Sequence, residues 1–140
     1  MNKKSLWTGR ILSGLMGAFL LLDSLMKIMR ASAAVKGTTE LGYSESVVVA
    51  IGATLFISTI TYLIPRTAIL GAILLSGYLG GAVASQVRVG NPFFSHVLFP
   101  VYVAVVVWLG IFLRDAGLHA LLPLRRATTS TAHPVLRDNR

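Results

Sequence analysis

The chain has 140 residues, 54% of them hydrophobic, and a formal net charge of +8. With a mean hydropathy of +0.72, it is too apolar for a soluble domain of this length and falls in the membrane class. It has no cysteine, which excludes disulfides, thiol redox chemistry, Cys-ligated zinc and iron–sulfur clusters within it. Its basic residues gather at segment ends rather than on one face with interleaved base-reading groups, so nucleic acid is not an expected partner.

Four stretches approach the roughly 20 apolar residues that a spanning helix needs. The first covers residues 6–29 and opens at Trp7, a residue suited to the membrane interface. Lys3 and Lys4 precede it as in a signal sequence, but the apolar run is too long for a signal-peptide core, so an uncleaved helix is expected. Gly9, Ser13 and Gly17 recur every four residues and predict a helix face that a neighbour approaches closely. Residues 30–45 are polar and long for a bundle connection, which predicts a short helix or a lid over the bundle end. Ser44 has the chemistry of an N-cap for the next segment, with Glu45 in its first turn.

The second stretch covers residues 46–64, with Tyr62 placed for the headgroup region. Pro65-Arg66-Thr67 is so tight a connection that the second and third stretches must be antiparallel neighbours. The third covers residues 67–87. Gly77, Gly81 and Ser85 form one small-residue stripe, and Gly80 with Ala84 an adjacent one, which predicts the most buried helix. Tyr78 lies mid-helix, where its hydroxyl needs a partner or a ligand. Residues 88–92 read as a turn. The fourth stretch covers residues 93–113. Pro100 cannot donate to the carbonyl of His96, so a kink beside His96 is expected. Beyond Arg114, residues 118–124 suit a short interfacial helix, and the basic tail 125–140 has the composition of a disordered segment.

An even number of spans puts both termini on one side. That side collects Lys3, Lys4, Arg10, Arg66, Arg114, Arg125, Arg126, Arg137 and Arg140; the other has Lys27, Arg30, Lys36 and Arg88. The asymmetry places both termini in the cytoplasm, and the setting expected is a bacterial inner membrane.

Antiparallel spans bring the end of the first and third stretches to the level where the second and fourth begin. Asp23, Lys27, Glu45, Gln86, Arg88 and His96 therefore share one depth, at the outer end. Ionisable groups at membrane depth are costly and commonly functional. Asp23 and Lys27 are four residues apart, in the favourable acid-before-base order; Arg88 is an alternative partner for Asp23 by spacing alone. One reading is a polar mouth on an apolar pocket lined also by Tyr78 and Tyr102, holding the head group of a quinone or other lipid-like molecule. The other is a salt-bridge network that fixes helix register. One histidine at this end is too few for a two-His haem or a His-rich metal site, and no serine has the partners of a hydrolytic triad. No catalytic residue, metal site or intrinsic cofactor is assigned.

Several segments occur together in a recognisable combination: Gly42-Tyr43-Ser44-Glu45-Ser46; Tyr62 through Pro65-Arg66-Thr67 to Gly71; Ser76-Gly77-Tyr78 through Gly80-Gly81 to Arg88; and His96 through Pro100 to Tyr102 and Trp108. With Asp23 and Lys27, this set resembles the DoxX-like family of small four-helix membrane proteins over roughly residues 9–124. The resemblance implies an all-α, four-helix transmembrane bundle. The wider superfamily includes subunits of thiosulfate:quinone oxidoreductases, membrane parts of other redox systems, and endoplasmic-reticulum proteins that assist receptor assembly or cargo export. Three roles follow as alternatives. They are a ligand-binding or accessory subunit, an assembly factor that binds partner transmembrane helices, and a quinone-linked oxidoreductase subunit with a soluble redox partner. Membrane lipid, a lipophilic small molecule and a partner membrane protein or second copy are the partners these roles imply.

Overall fold

The computed structural model describes residues 2–121, so the expected tail 125–140 lies outside the described residues. Four long helices carry the four apolar stretches: α1 (Lys3–Ile28), α3 (Val48–Leu63), α4 (Ala68–Arg88) and α5 (Phe99–Arg114). Two short ones follow the first and last of these, α2 (Ser32–Glu40) and α6 (Ala116–Leu121). Short turns extend the later spans at their starts, so that Lys3–Ile28, Glu45–Leu63, Pro65–Arg88 and Phe93–Arg114 are each long and apolar enough to cross a membrane. The chain is an all-α, integral membrane bundle.

The four spans form a ring. α1 packs on α3 and α5, α4 packs on the same two, and among the described residues the diagonal pairs have no close backbone approach. Large side chains such as Leu15, Leu22, Ile57, Leu70 and Val105 are more than half exposed on the outside, as a surface solvated by lipid requires. The inside holds Leu20, Leu55, Leu75, Val103, Val107 and Ile111 together with small hydroxyl residues. Several buried hydroxyls are satisfied within their own helix: Ser24 donates to Leu21 O, Ser58 to Thr54 O and Thr59 to Leu55 O. This matters because hydrocarbon supplies no substitute partner.

α4 is packed tightly only near the chain termini, whereas α1 and α3 stay in close contact at both ends, a Cβ on Gly52 lying 3.0 Å from Ser24 O. Gly9, Ser13 and Gly17 are buried, as their spacing predicts. A Cβ on Gly9 would lie 2.8 Å from Gly110 O, and one on Gly71 would collide with the backbone nitrogen of Tyr62. Tyr62 does not face outward toward lipid head groups. It is fully buried, and its hydroxyl donates to Val107 O at 2.9 Å and lies 3.0 Å from Ser13 Oγ. One side chain from α3 thus reaches α5 and α1, while its backbone carries α4.

Two features differ from expectation. First, α4 is not the most buried helix. Gly71 and its neighbours are packed, but Gly77, Gly80 and Gly81 have no atom within 4 Å of where a Cβ would be. The tight Pro65 turn pins α3 and α4 at one end only, and the small residues beyond it border open space. Second, Pro100 does not kink a continuous helix. Phe93–Val97 forms a separate π-helical turn, and α5 starts anew with Pro100 in its first turn, where no donor is needed. The polar connection contains α2, a short helix as its length predicts. Ser44 caps the turn that follows by accepting from Ser46 N–H, as expected.

α1, α2 and α4 all end in the same hydrogen-bonded motif at this side of the bundle. The amide of the second residue past the cap bonds back to the helix, as in Ala31 N–H to Met26 O and Asn91 N–H to Gln86 O. The left-handed position is Gly42 after α2 and Gly90 after α4, but Arg30 after α1, at φ 54°.

Candidate functional site

Between the spans, at the α2 end, lies a half-open cavity of about 440 Å³. Its walls are apolar over most of their extent: Phe19 and Leu20 from α1, Ile51 from α3, Leu79 and Ala82 from α4, Phe99 and Val103 from α5. Polar groups gather toward the mouth: Asp23, Lys27, Thr38, Tyr43, Tyr78, Ser85 and Gln86. The cavity exists because the small residues of α4 continue past the tight region. Gly77 and Gly81 line it and place nothing in it.

Asp23 and Lys27 sit one turn apart on α1. Lys27 Nζ donates to Asp23 Oδ2 at 2.5 Å, and the side chains are 15% and 41% exposed. The partner of Asp23 is thus Lys27, not Arg88. Tyr78, on α4, faces this pair across the ring; Lys27 and Asp23 are the charged groups that act on its hydroxyl. Gln86 Oε1 accepts from Asn91 Nδ2, which leaves its amide nitrogen as the unengaged end.

The connection after α2 lies beside the mouth. Ser85 Oγ donates to Gly81 O at 2.9 Å, so Tyr43 is the donor in the 2.6 Å bond between the two hydroxyls. Arg88 donates to Leu41 O at 2.6 Å, and its guanidinium lies 5.7 Å from the centre of the Tyr43 ring. The segment is tied to α4 by one hydroxyl pair, one charged hydrogen bond and one cation–π contact.

Of the residues that the sequence placed at this depth, Asp23, Lys27, Tyr78 and Gln86 line the cavity. Arg88 stands behind it and braces the loop. Glu45 pairs with Arg30 at 3.5 Å, with both side chains more than half exposed. His96 is exposed, its Nδ1 2.8 Å from the adjacent Ser95 hydroxyl. Tyr102 is half exposed on α5 and is not part of the cavity wall. The expected single network therefore resolves into separate local pairs. Equal depth does not give equal direction around the helix axis, and the π-helical turn carries His96 to the surface.

Sequence reasoning missed Thr38, Leu41, Tyr43 and Ser85. A tyrosine in a polar loop just before a span was the available signal for Tyr43, and helical spacing from Gly81 for Ser85. Neither reveals that the two hydroxyls meet; only the length of the loop points to a lid. Among the described residues, no three His, Asp or Glu side chains are grouped as a metal site requires.

The arrangement can hold an amphiphilic molecule, with an apolar body against the phenylalanines and a polar end at the ion pair. Residues 11–110 match a family model described as the DoxX-like family. No curated protein and no solved structure matches the chain.

Proposed function

The chain belongs to the DoxX-like family, and from that premise we propose that it binds a quinone or other lipid-like molecule in the cavity between its spans. The observation that carries this reading is the cavity itself. A volume of about 440 Å³ lies within the range of small-molecule sites, roughly 300–1,000 Å³, and has their usual make-up of apolar walls with a few placed polar groups. Asp23, Lys27, Tyr78 and Gln86 hold the head group; Phe19, Leu20, Phe99 and Val103 contact the body. The protein needs no chemistry of its own in this role. It presents or stores the ligand, and acts as an accessory subunit where a partner supplies the reaction.

The test is purification in mild detergent, followed by mass spectrometry of the extracted lipophiles, beside a Gly81→Leu variant that fills the cavity. The expected result is a stoichiometric amphiphile in the wild type and its loss from Gly81→Leu at an unchanged melting temperature. The reading fails if the wild type carries no such molecule and takes up none when it is offered. A quinone among the extracted molecules favours the electron-carrying subunit with a soluble redox partner over the accessory role.

A further inference from the structure

The cavity has a charge balance that the shared depth of its residues does not suggest. Asp23, Glu45, Lys27, Arg30 and Arg88, with the imidazole of His96, reach this end of the bundle. Only one acid and one base, Asp23 and Lys27, line the cavity, and they neutralise each other at 2.5 Å. Glu45 is directed to Arg30, Arg88 to the Leu41 carbonyl, and His96 to the surface. The remaining polar groups at the mouth are hydroxyls and an amide. Resting on the binding reading above, we infer that the cavity selects a lipophile with an uncharged, hydrogen-bond-accepting head group and rejects matched anions and cations.

The physical reason is desolvation. A net charge brought into an apolar site beside an already neutral pair finds no counter-ion and loses its water. Even the smaller estimates of burying a charge at membrane depth correspond to more than about tenfold in binding. An uncharged carbonyl oxygen has no such penalty. It meets donors instead: the Gln86 amide nitrogen, whose oxygen is engaged by Asn91, the Tyr78 hydroxyl and the remaining Lys27 N–H groups. Esters and quinones share this chemistry.

The test uses the purified full chain in detergent at about pH 9, where a fatty acid is ionised and a fatty amine still protonated. Four probes are compared: methyl oleate, a short-tailed benzoquinone, oleate and oleylamine. Wild-type protein is expected to bind an uncharged probe at least about tenfold more tightly than either ion. Whether the ester or the quinone is retained separates the two sources of the head group. Asp23→Asn, which leaves Lys27 unpaired, is expected to shift the preference toward oleate. Lys27→Gln is expected to shift it toward oleylamine, and the double variant to restore the uncharged preference. The two single variants read the same pair with opposite sign, so one that fails to fold leaves the other informative. Wild-type binding of oleate or oleylamine as tight as that of the uncharged probes overturns the inference but leaves the binding site standing. Binding of no probe, with Gly81→Leu indistinguishable from wild type, overturns the site as well.

Discussion

Around the two halves of α4 the same kinds of residue are treated in opposite ways, although α1 and α3 remain in contact through Gly52 at the far end. Near the chain termini, Gly9, Gly71 and Gly110 let backbones meet. Tyr62 fills the space between the helices and bonds to two of them. Toward α2, Gly77 and Gly81 meet nothing, and Tyr78 stands at the wall of a cavity rather than at the centre of a core. A small-residue stripe is thus not in itself a packing signal. It permits a close approach where a tight turn forces the helices together, and leaves a hole where they are free to part.

The largest expected effect separates the two glycine sets. Gly71→Ala puts a methyl group into the backbone of Tyr62, which no side-chain rotation relieves, and is expected to destabilise by about 2–3 kcal/mol. Gly81→Ala meets open space and is expected to stay within about 0.5 kcal/mol of wild type. Thermal unfolding of both in the same detergent decides the matter. Equal losses would mean that the stripe is packed along its whole length.

The tyrosines sharpen the contrast. Tyr62→Phe removes a hydroxyl buried among three helices and leaves Ser13 and the Val107 carbonyl short of a partner, a cost of about 1–2 kcal/mol. Tyr78→Phe is expected to leave the melting temperature nearly unchanged while weakening retention of a polar-headed ligand by about fivefold. A stability loss as large as that of Tyr62→Phe would make Tyr78 a core residue.

How much of this was legible in the sequence follows from what a helix encodes. Length and hydropathy give the number of spans, and a rise of 1.5 Å per residue gives the depth of each side chain. The bundle, the α1 glycine face, the Ser44 cap and the shared level of the polar residues were therefore readable. Direction around the axis depends on how the helices rotate against one another, and that is set by contacts distant in sequence. Glu45, Arg88, His96 and Tyr102 are candidates by sequence but do not line the cavity. A position near a span end suits Tyr62 to the interface, whereas the residues that bury it come from α1, α4 and α5. Asp23 and Lys27 were found together because both lie on one helix, where spacing fixes direction as well as depth.

The loop beside the open end supplies the next comparison. Arg88→Ala removes the bond to Leu41 O and the contact with the Tyr43 ring, and is expected to cost about 1 kcal/mol. The effect should be local. Hydrogen exchange is expected to rise at residues 41–47 and to stay unchanged around Tyr62. Exchange rising evenly across the bundle would show that the two ends unfold as one unit.

The smallest effect concerns how the helices stop at that end. α4 ends with Gly90 in the left-handed conformation, and α1 ends the same way with Arg30. An L-residue with a Cβ there costs about 1 kcal/mol, which Arg30→Gly removes. The same change deletes the ion pair with Glu45, whose side chains are 53% and 64% exposed. An exposed pair of this kind is worth about 0.3–0.5 kcal/mol. The net expectation is a gain of about 0.5 kcal/mol, and Glu45→Gln alone isolates the ion-pair part. If Arg30→Gly instead loses more stability than Glu45→Gln, the arginine does more at the mouth than answer one carboxylate. The strained turn would then be a consequence of where that side chain has to stand.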